Sequence, residues 1–146
     1  MSTPSKKLTV MLWIAQTLLA LVFLFAGTMK FVMPAAQMAA QSPFSLEFIY
    51  FIGVAEIAGA LGLILPGLTR IRTGLTPLAA AGLVVIMVGA TITTLVIGPA
   101  AGAIVPAVCG LLAAFVVEGR WHRAPIQARA HAATPRMRIA HAGTRA

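Results

Sequence analysis

Charged residues and cysteines are both scarce in this chain. Of its 146 residues, 10% are charged and 60% are hydrophobic, a balance that excludes a soluble globular domain. The single cysteine, Cys109, lies within an apolar run. One cysteine can form neither an intramolecular disulfide nor a CxxC redox motif, so dithiol chemistry within one chain is excluded as well.

Acidic residues are scarcer still, and the chain is strongly basic. Three Asp and Glu residues stand against 11 Lys and Arg residues, which gives a formal net charge of +8. Binding to nucleic acid would explain such an excess, but no basic helix interleaved with aromatic residues is present. Most basic residues lie beside the apolar segments rather than within them. The predicted partners are therefore the lipid bilayer and its anionic headgroups, the latter above all at the basic C-terminal tail.

Four long apolar segments dominate the rest of the chain. As a helix, each is long enough to cross a hydrocarbon layer of about 30 Å. They predict an all-α fold, an integral membrane four-helix bundle, with spans at about residues 8–30, 46–66, 75–97 and 100–118. A cleaved signal peptide is the alternative for the first segment. The length of that segment and its poor cleavage site, Leu24-Phe25-Ala26, favour an uncleaved helix.

Residues 1–7 and 119–146 flank the predicted bundle as a short N-terminal segment and a basic, disordered tail. The tail holds three histidines, His122, His131 and His141. Their spacing is too wide to predict a metal site. The basic residues at both ends of the chain fall on one side of the bundle, together with Arg70 and Arg72. The positive-inside rule then places both termini in the cytoplasm, in a multi-pass protein of a prokaryotic plasma membrane.

Glu56 is the one acidic residue that lies deep inside a predicted span and cannot easily reach an aqueous surface, and a charge there is costly and needs a partner. At 1.5 Å per residue, Glu56 lies about 12 Å below the start of its apolar segment, and Lys30 lies about 5 Å below the outer end of the first. We therefore predict that Lys30 and Glu56 meet in the outer half of the bundle. Further residues on the same helix faces are predicted to line the pocket around the pair: Gln16, Gly27, Gly53 and Gly59. The pair is either a structural link that fixes helix register or a proton- or ligand-binding site.

Three stretches carry a resemblance to a known family. They are FLFAGTMKF, with Gly27 and Lys30, GVAEIAGALGLILPGLTRI, with Glu56, and TPLAAAGLVVIMVGA in the third span. Over residues 8–117 the chain resembles the DoxX-like membrane proteins. The resemblance implies four transmembrane helices and, for most members, no established activity. The name-giving member looks like the membrane subunit of a thiosulfate:quinone oxidoreductase, and other relatives are linked to oxidoreductase complexes or membrane-protein assembly.

The chain also departs from this family in one respect. Many relatives carry a histidine late in the third span, where this chain has ATITTLVIG, with Thr93 and Thr94. This departure argues against histidine-dependent proton or metal chemistry.

Three functions fit these observations. The favoured one is a non-catalytic membrane subunit or assembly partner of an oxidoreductase or another membrane complex, not an enzyme on its own. The second is a redox subunit whose Lys30–Glu56 pocket handles the protons of a bound quinone; without a haem-ligand pair or flavin motif, a partner would supply the redox cofactor. The third is a small proton-coupled transporter, which would carry more polar groups inside the membrane. Identifying the proteins and quinone that co-purify in mild detergent would separate the three.

Overall fold

The computed structural model describes residues 5–127, so residues 1–4 of the predicted N-terminal segment and residues 128–146 of the predicted tail lie outside it. The described residues form helices and the connections between them. The five α-helices are α1 (Lys6–Val32), α2 (Ala35–Gln41), α3 (Leu46–Thr69), α4 (Leu75–Ile97) and α5 (Ile104–Glu118). A 3₁₀ turn over Ala100–Ala103 leads into α5, and one turn of π-helix over Gly119–Arg123 follows it.

Four helical stretches are long and apolar enough to cross a membrane. They are Lys6–Val32, Leu46–Thr69, Leu75–Ile97 and Ala100–Arg123. Their outer surfaces are apolar as well: Phe25, Phe51 and Val85 are 69%, 67% and 72% exposed. Soluble proteins rarely expose so much continuous apolar surface, whereas lipid chains cover it readily. The predicted all-α membrane bundle with four spans is confirmed.

The long helices pack in a closed arrangement. Helix α1 contacts α3 and α5, α3 contacts α4, and α4 contacts α5. The core consists of apolar side chains, many of them small: Ala15, Leu19, Phe23, Ala60, Leu63, Ala80, Leu83, Met87, Ala113 and Val116. The short helix α2 lies against α3 and buries Met38. Helix α2 therefore covers the end of the bundle at which α1 ends and α3 begins.

The second span is longer than the sequence predicts. The turn signal Pro66-Gly67 predicts an end there, because proline lacks the N–H that the helix needs. Helix α3 instead continues to Thr69, with both residues buried. A Cβ atom on Gly67 would lie 2.8 Å from the Trp13 ring of α1. Packing of the last turn of α3 against α1 outweighs the loss of one helical hydrogen bond.

The predicted tail boundary at residue 119 is too early. The π-helical turn Gly119–Arg123 is closed by a 2.7 Å hydrogen bond that Ala124 N donates to Gly119 O. Ala124 is buried, and Ile126 lies close to Gly67 of α3. The packed part of the chain therefore extends past α5, because these apolar side chains fold back onto the bundle.

The orientation of the bundle in the membrane stays a prediction, and reporter fusions test it. The start of α1 and the turn after α5 lie at the same end, where Leu12 packs against Gly119. An alkaline phosphatase domain, active only outside the cytoplasm, should be active when fused after Pro43 and inactive when fused after Thr144. Activity at both sites would contradict the four-span topology, and the reverse pattern would contradict the orientation.

Candidate functional site

Lys30 and Glu56 form an ion pair between α1 and α3. Lys30 Nζ lies 2.6 Å from Glu56 Oε2, and the two side chains are 26% and 5% exposed. A second, longer contact of 3.5 Å joins Lys30 Nζ to the carbonyl oxygen of Ala26. The structure thus places the two predicted residues in direct contact, with the carboxylate much more deeply buried than the ammonium.

Two glycines allow the helices to come close enough for this contact. A Cβ atom on Gly27 would lie 2.8 Å from Gly53 O, and a Cβ atom on Gly53 would lie 3.2 Å from Gly27 O. Each glycine precedes a charged residue by three positions, so glycine and charge lie on the same face of each helix. Backbone contact at Gly27 and Gly53 therefore sets the helix separation at which Lys30 reaches Glu56.

A cavity of about 460 Å³ lies beside the ion pair. Lys30 and Glu56 are the charged residues that line it. The other lining residues come from the loop before α3, the first half of α3, and α4: Phe44, Phe48, Phe51, Ile52, Val85, Ile86, Gly89, Ala90, Thr93 and Thr94. The volume falls within the roughly 300–1,000 Å³ of pockets that hold small molecules, and such pockets are apolar with a few placed polar groups.

Phenylalanine rings form one wall of this cavity. The ring centroids of Phe44 and Phe48 are 5.2 Å apart, and those of Phe48 and Phe51 are 6.3 Å apart in a stacked arrangement. The sequence analysis missed these residues. Their signal was the four-residue spacing of Phe48, Ile52 and Glu56, which places an aromatic ring on the same face of α3 as the carboxylate.

Lys30 is the member of the pair that a ligand can reach more easily. It lines the cavity described above and also a second one of about 330 Å³, next to α2. Phe44 and Ile52 line both cavities too. The ammonium group has three N–H donors and the two contacts already described, so it has capacity for a further acceptor.

The predicted pocket-lining residues lie in three different places. Gly27 and Gly53 form the helix contact next to the pair. Gly59 faces α4 instead, where a Cβ atom would lie 2.6 Å from Leu83. Gln16 does not line the pocket, so its prediction was wrong. Gln16 shares a helix face with Lys30, but the two residues are almost four turns apart, about 21 Å along the helix axis. Gln16 Nε2 donates to the Leu63 carbonyl at 2.6 Å, deep in the other half of the bundle.

Histidine, cysteine and acidic side chains are the usual protein ligands of metal ions. Within residues 5–127, no three His, Cys, Asp or Glu side chains lie close enough to hold a metal ion. His131 and His141 lie outside that range. The chemistry available at the site is therefore that of one ammonium, one carboxylate and an aromatic cavity.

Comparison with known proteins identifies a family. The model of the DoxX-like family matches residues 14–116, which contain α3 and α4, most of α1 and nearly all of α5. No curated protein and no solved structure matches the chain. The matched region includes Lys30, Glu56 and all the residues that line the cavity. This chain is a member of the DoxX-like family of membrane proteins.

Proposed function

We propose that this protein is the quinone-binding membrane subunit of an oxidoreductase complex, in which the cavity holds the head group of a quinone. One observation carries the proposal: an ammonium–carboxylate pair lines a cavity that is otherwise apolar and aromatic. A quinone head group is a flat ring with carbonyl oxygens. It needs apolar walls for the ring and a hydrogen-bond donor for an oxygen, and this cavity offers both.

Lys30 and Glu56 would have different roles toward such a ligand. Lys30, the more exposed partner, would donate a charge-assisted hydrogen bond to a carbonyl oxygen. Glu56 accepts from Lys30 through Oε2 and would accept or release the proton that accompanies quinone reduction. A bound quinone supplies the redox chemistry. The protein's own contribution is to orient the ring and to hold a proton close to it.

Electrons would have to come from a partner subunit. The chain has a single cysteine, and no CxxC pair is therefore available within it. This is why we assign the protein a subunit role rather than an independent enzymatic one. A proton-coupled transporter is less well supported, because within residues 5–127 the polar side chains that line the cavity besides the ion pair are those of Thr93 and Thr94. The Thr94 hydroxyl already donates to Ala90 O at 2.8 Å.

Filling the cavity should abolish quinone binding. Gly89 lines the cavity, and a Cβ atom there would meet nothing within 4 Å, so Gly89→Leu should place its side chain in the empty space without displacing the helix. We expect a photoreactive azidoquinone to label α3 and α4 of the wild-type protein in lipid nanodiscs. Excess unlabelled quinone should compete, and Gly89→Leu should lose the labelling.

Gly82→Leu is the matched control for this experiment. It makes the same change on the same helix, and a Cβ atom on Gly82 also meets nothing within 4 Å, but Gly82 does not line this cavity. Gly82→Leu should therefore label as the wild type does. Labelling that is insensitive to competitor, or equal in both variants, would overturn the proposed quinone site.

A further inference from the structure

A second polar cluster lies at the opposite end of the bundle, outside the quinone site. Its centre is Arg120, in the turn after α5, which is only 4% exposed. Arg120 Nε donates to Gln16 Oε1 at 2.7 Å, and Nη1 donates to Ala124 O at 3.3 Å. The guanidinium carbon lies 5.2 Å from the centre of the Trp13 ring. These contacts fix the guanidinium between α1 and the end of α5.

No acidic side chain balances the charge of Arg120. The whole chain has three acidic residues, Glu47, Glu56 and Glu118. Glu56 pairs with Lys30, Glu118 is half exposed beside Arg123, and Glu47 lies in the first turn of α3 at the far end of the bundle. A buried cation without a counter-charge is costly, and proteins normally pair it.

Two hydrogen-bonding groups at this end also lack a partner. Among residues 5–127, neither Arg120 Nη2 nor Thr76 Oγ1 has a hydrogen-bond partner, although both atoms are buried. Thr76 lies in the first turn of α4 and is fully buried. Buried polar atoms nearly always have partners, so the unpaired Nη2 of a buried guanidinium without a counter-charge indicates a missing ligand.

A cleft of about 290 Å³ adjoins Arg120. Arg120 lines it together with Thr73, Gly74 and Pro77 at the start of α4 and with Trp121 and Ile126. The first turn of a long helix carries a partial positive charge, so α4 adds to the field of the guanidinium there. Arg70 and Arg72 lie in the same connection between α3 and α4. Arg120 is the charged residue that lines the cleft.

We propose that this cleft binds a phosphate group, with Arg120 as its main ligand. The guanidinium fork matches the geometry of phosphate oxygens, and Nη2 is the donor still available for it. Thr73, which carries a hydroxyl, lines the same cleft. Arg120 falls in the last turn of Ala100–Arg123, a stretch long and apolar enough to cross a membrane, and the ends of such a stretch lie close to phospholipid headgroups. A lipid headgroup and free phosphate offer the same chemistry, and the test below separates them.

Thermal melting of the full-length protein in micelles of dodecyl maltoside, a detergent without phosphate, tests this site. One arm compares these micelles with the same micelles supplemented with phosphatidylglycerol. The other adds inorganic phosphate to the unsupplemented micelles, against chloride at equal ionic strength. The wild-type Tm should rise in at least one arm, because a ligand that binds only the folded state stabilises it. A rise in the first arm identifies a lipid headgroup, and a rise in the second identifies free phosphate.

Arg120→Gln should lose this rise, and Arg123→Gln is the matched control. Arg123 lies in the same turn but is exposed, so its loss removes the same charge without touching the cleft. No rise in the wild type, or an equal rise in Arg120→Gln, would overturn the proposed site. If Arg120→Gln fails to fold, Arg120→Lys takes its place: it keeps the charge but not the fork. Its apparent affinity should fall about tenfold, as the loss of one hydrogen bond to a charged group predicts, and an unchanged affinity would overturn the proposal.

Discussion

Lys30→Met should destabilise the bundle by about 3–5 kcal/mol, because it leaves the Glu56 carboxylate buried without its partner. Glu56→Gln should also be destabilising, but less so, since the ammonium that it leaves unpaired is 26% exposed against 5% for the carboxylate. Melts in a mild detergent measure both. Lys7→Met makes the same chemical change at an exposed position of α1 and should have little effect.

The double variant Lys30→Met/Glu56→Gln should recover much of the lost stability, because no uncompensated charge remains. If the double variant recovers both its stability and quinone binding, the pair is purely structural. If it recovers its stability but not quinone binding, Lys30 or Glu56 has a chemical role. Strictly additive losses in the double variant would contradict the 2.6 Å contact itself.

Gly27→Ala should be the second most damaging change, because it separates the helices that carry the pair. The new methyl group would lie 2.8 Å from Gly53 O, a backbone atom that cannot move without α3. Overpacking of this kind typically costs about 1–3 kcal/mol. We expect the Tm of Gly27→Ala to fall and its effect to couple with Lys30→Met, since the wider spacing already weakens the ion pair.

Gly82→Ala provides the comparison for Gly27→Ala. Both changes add one methyl group in the interior of a membrane helix, but a Cβ atom on Gly82 meets nothing within 4 Å. Gly82→Ala should therefore be neutral or slightly stabilising, because alanine favours the helix more than glycine does. Equal Tm losses in the two alanine variants would show that the loss in Gly27→Ala comes from reduced helix flexibility and not from the close contact with Gly53.

The sequence was sufficient to predict the spans and the contact between Lys30 and Glu56. Long apolar segments determine the number of spans, and the two charges lie on faces that small residues mark as helix contacts. Gln16 shows the limit of this reasoning. Helical periodicity gives the direction in which a side chain points, but depth along the axis must be counted separately, and Gln16 lies in the wrong half of the bundle to reach Glu56.

Arg120 escaped prediction for a different reason. The region from residue 119 was interpreted from its average composition, which is basic. An average composition does not show that Arg120 is buried while the three residues directly after it are exposed. Ala113 and Val116 are buried, and Arg120 follows Val116 by four residues on what would be the same face of a continued helix. The face of α5 therefore already pointed to a buried arginine. The same limit applies to Pro66-Gly67. This local turn signal predicted the end of the helix, but Gly67 packs against Trp13 of α1, and no local sequence pattern reveals that contact.

Equilibrium binding of a short-chain quinone in nanodiscs tests most directly whether the ion pair serves a ligand site. The wild-type protein should bind the quinone saturably, and Gly82→Leu should bind it equally well. The folded double variant Lys30→Met/Glu56→Gln should bind it about tenfold more weakly, because the charge-assisted donor is gone. If the double variant binds with wild-type affinity, or if the wild type shows no saturable binding, the pair serves helix packing alone and the proposed quinone site is wrong.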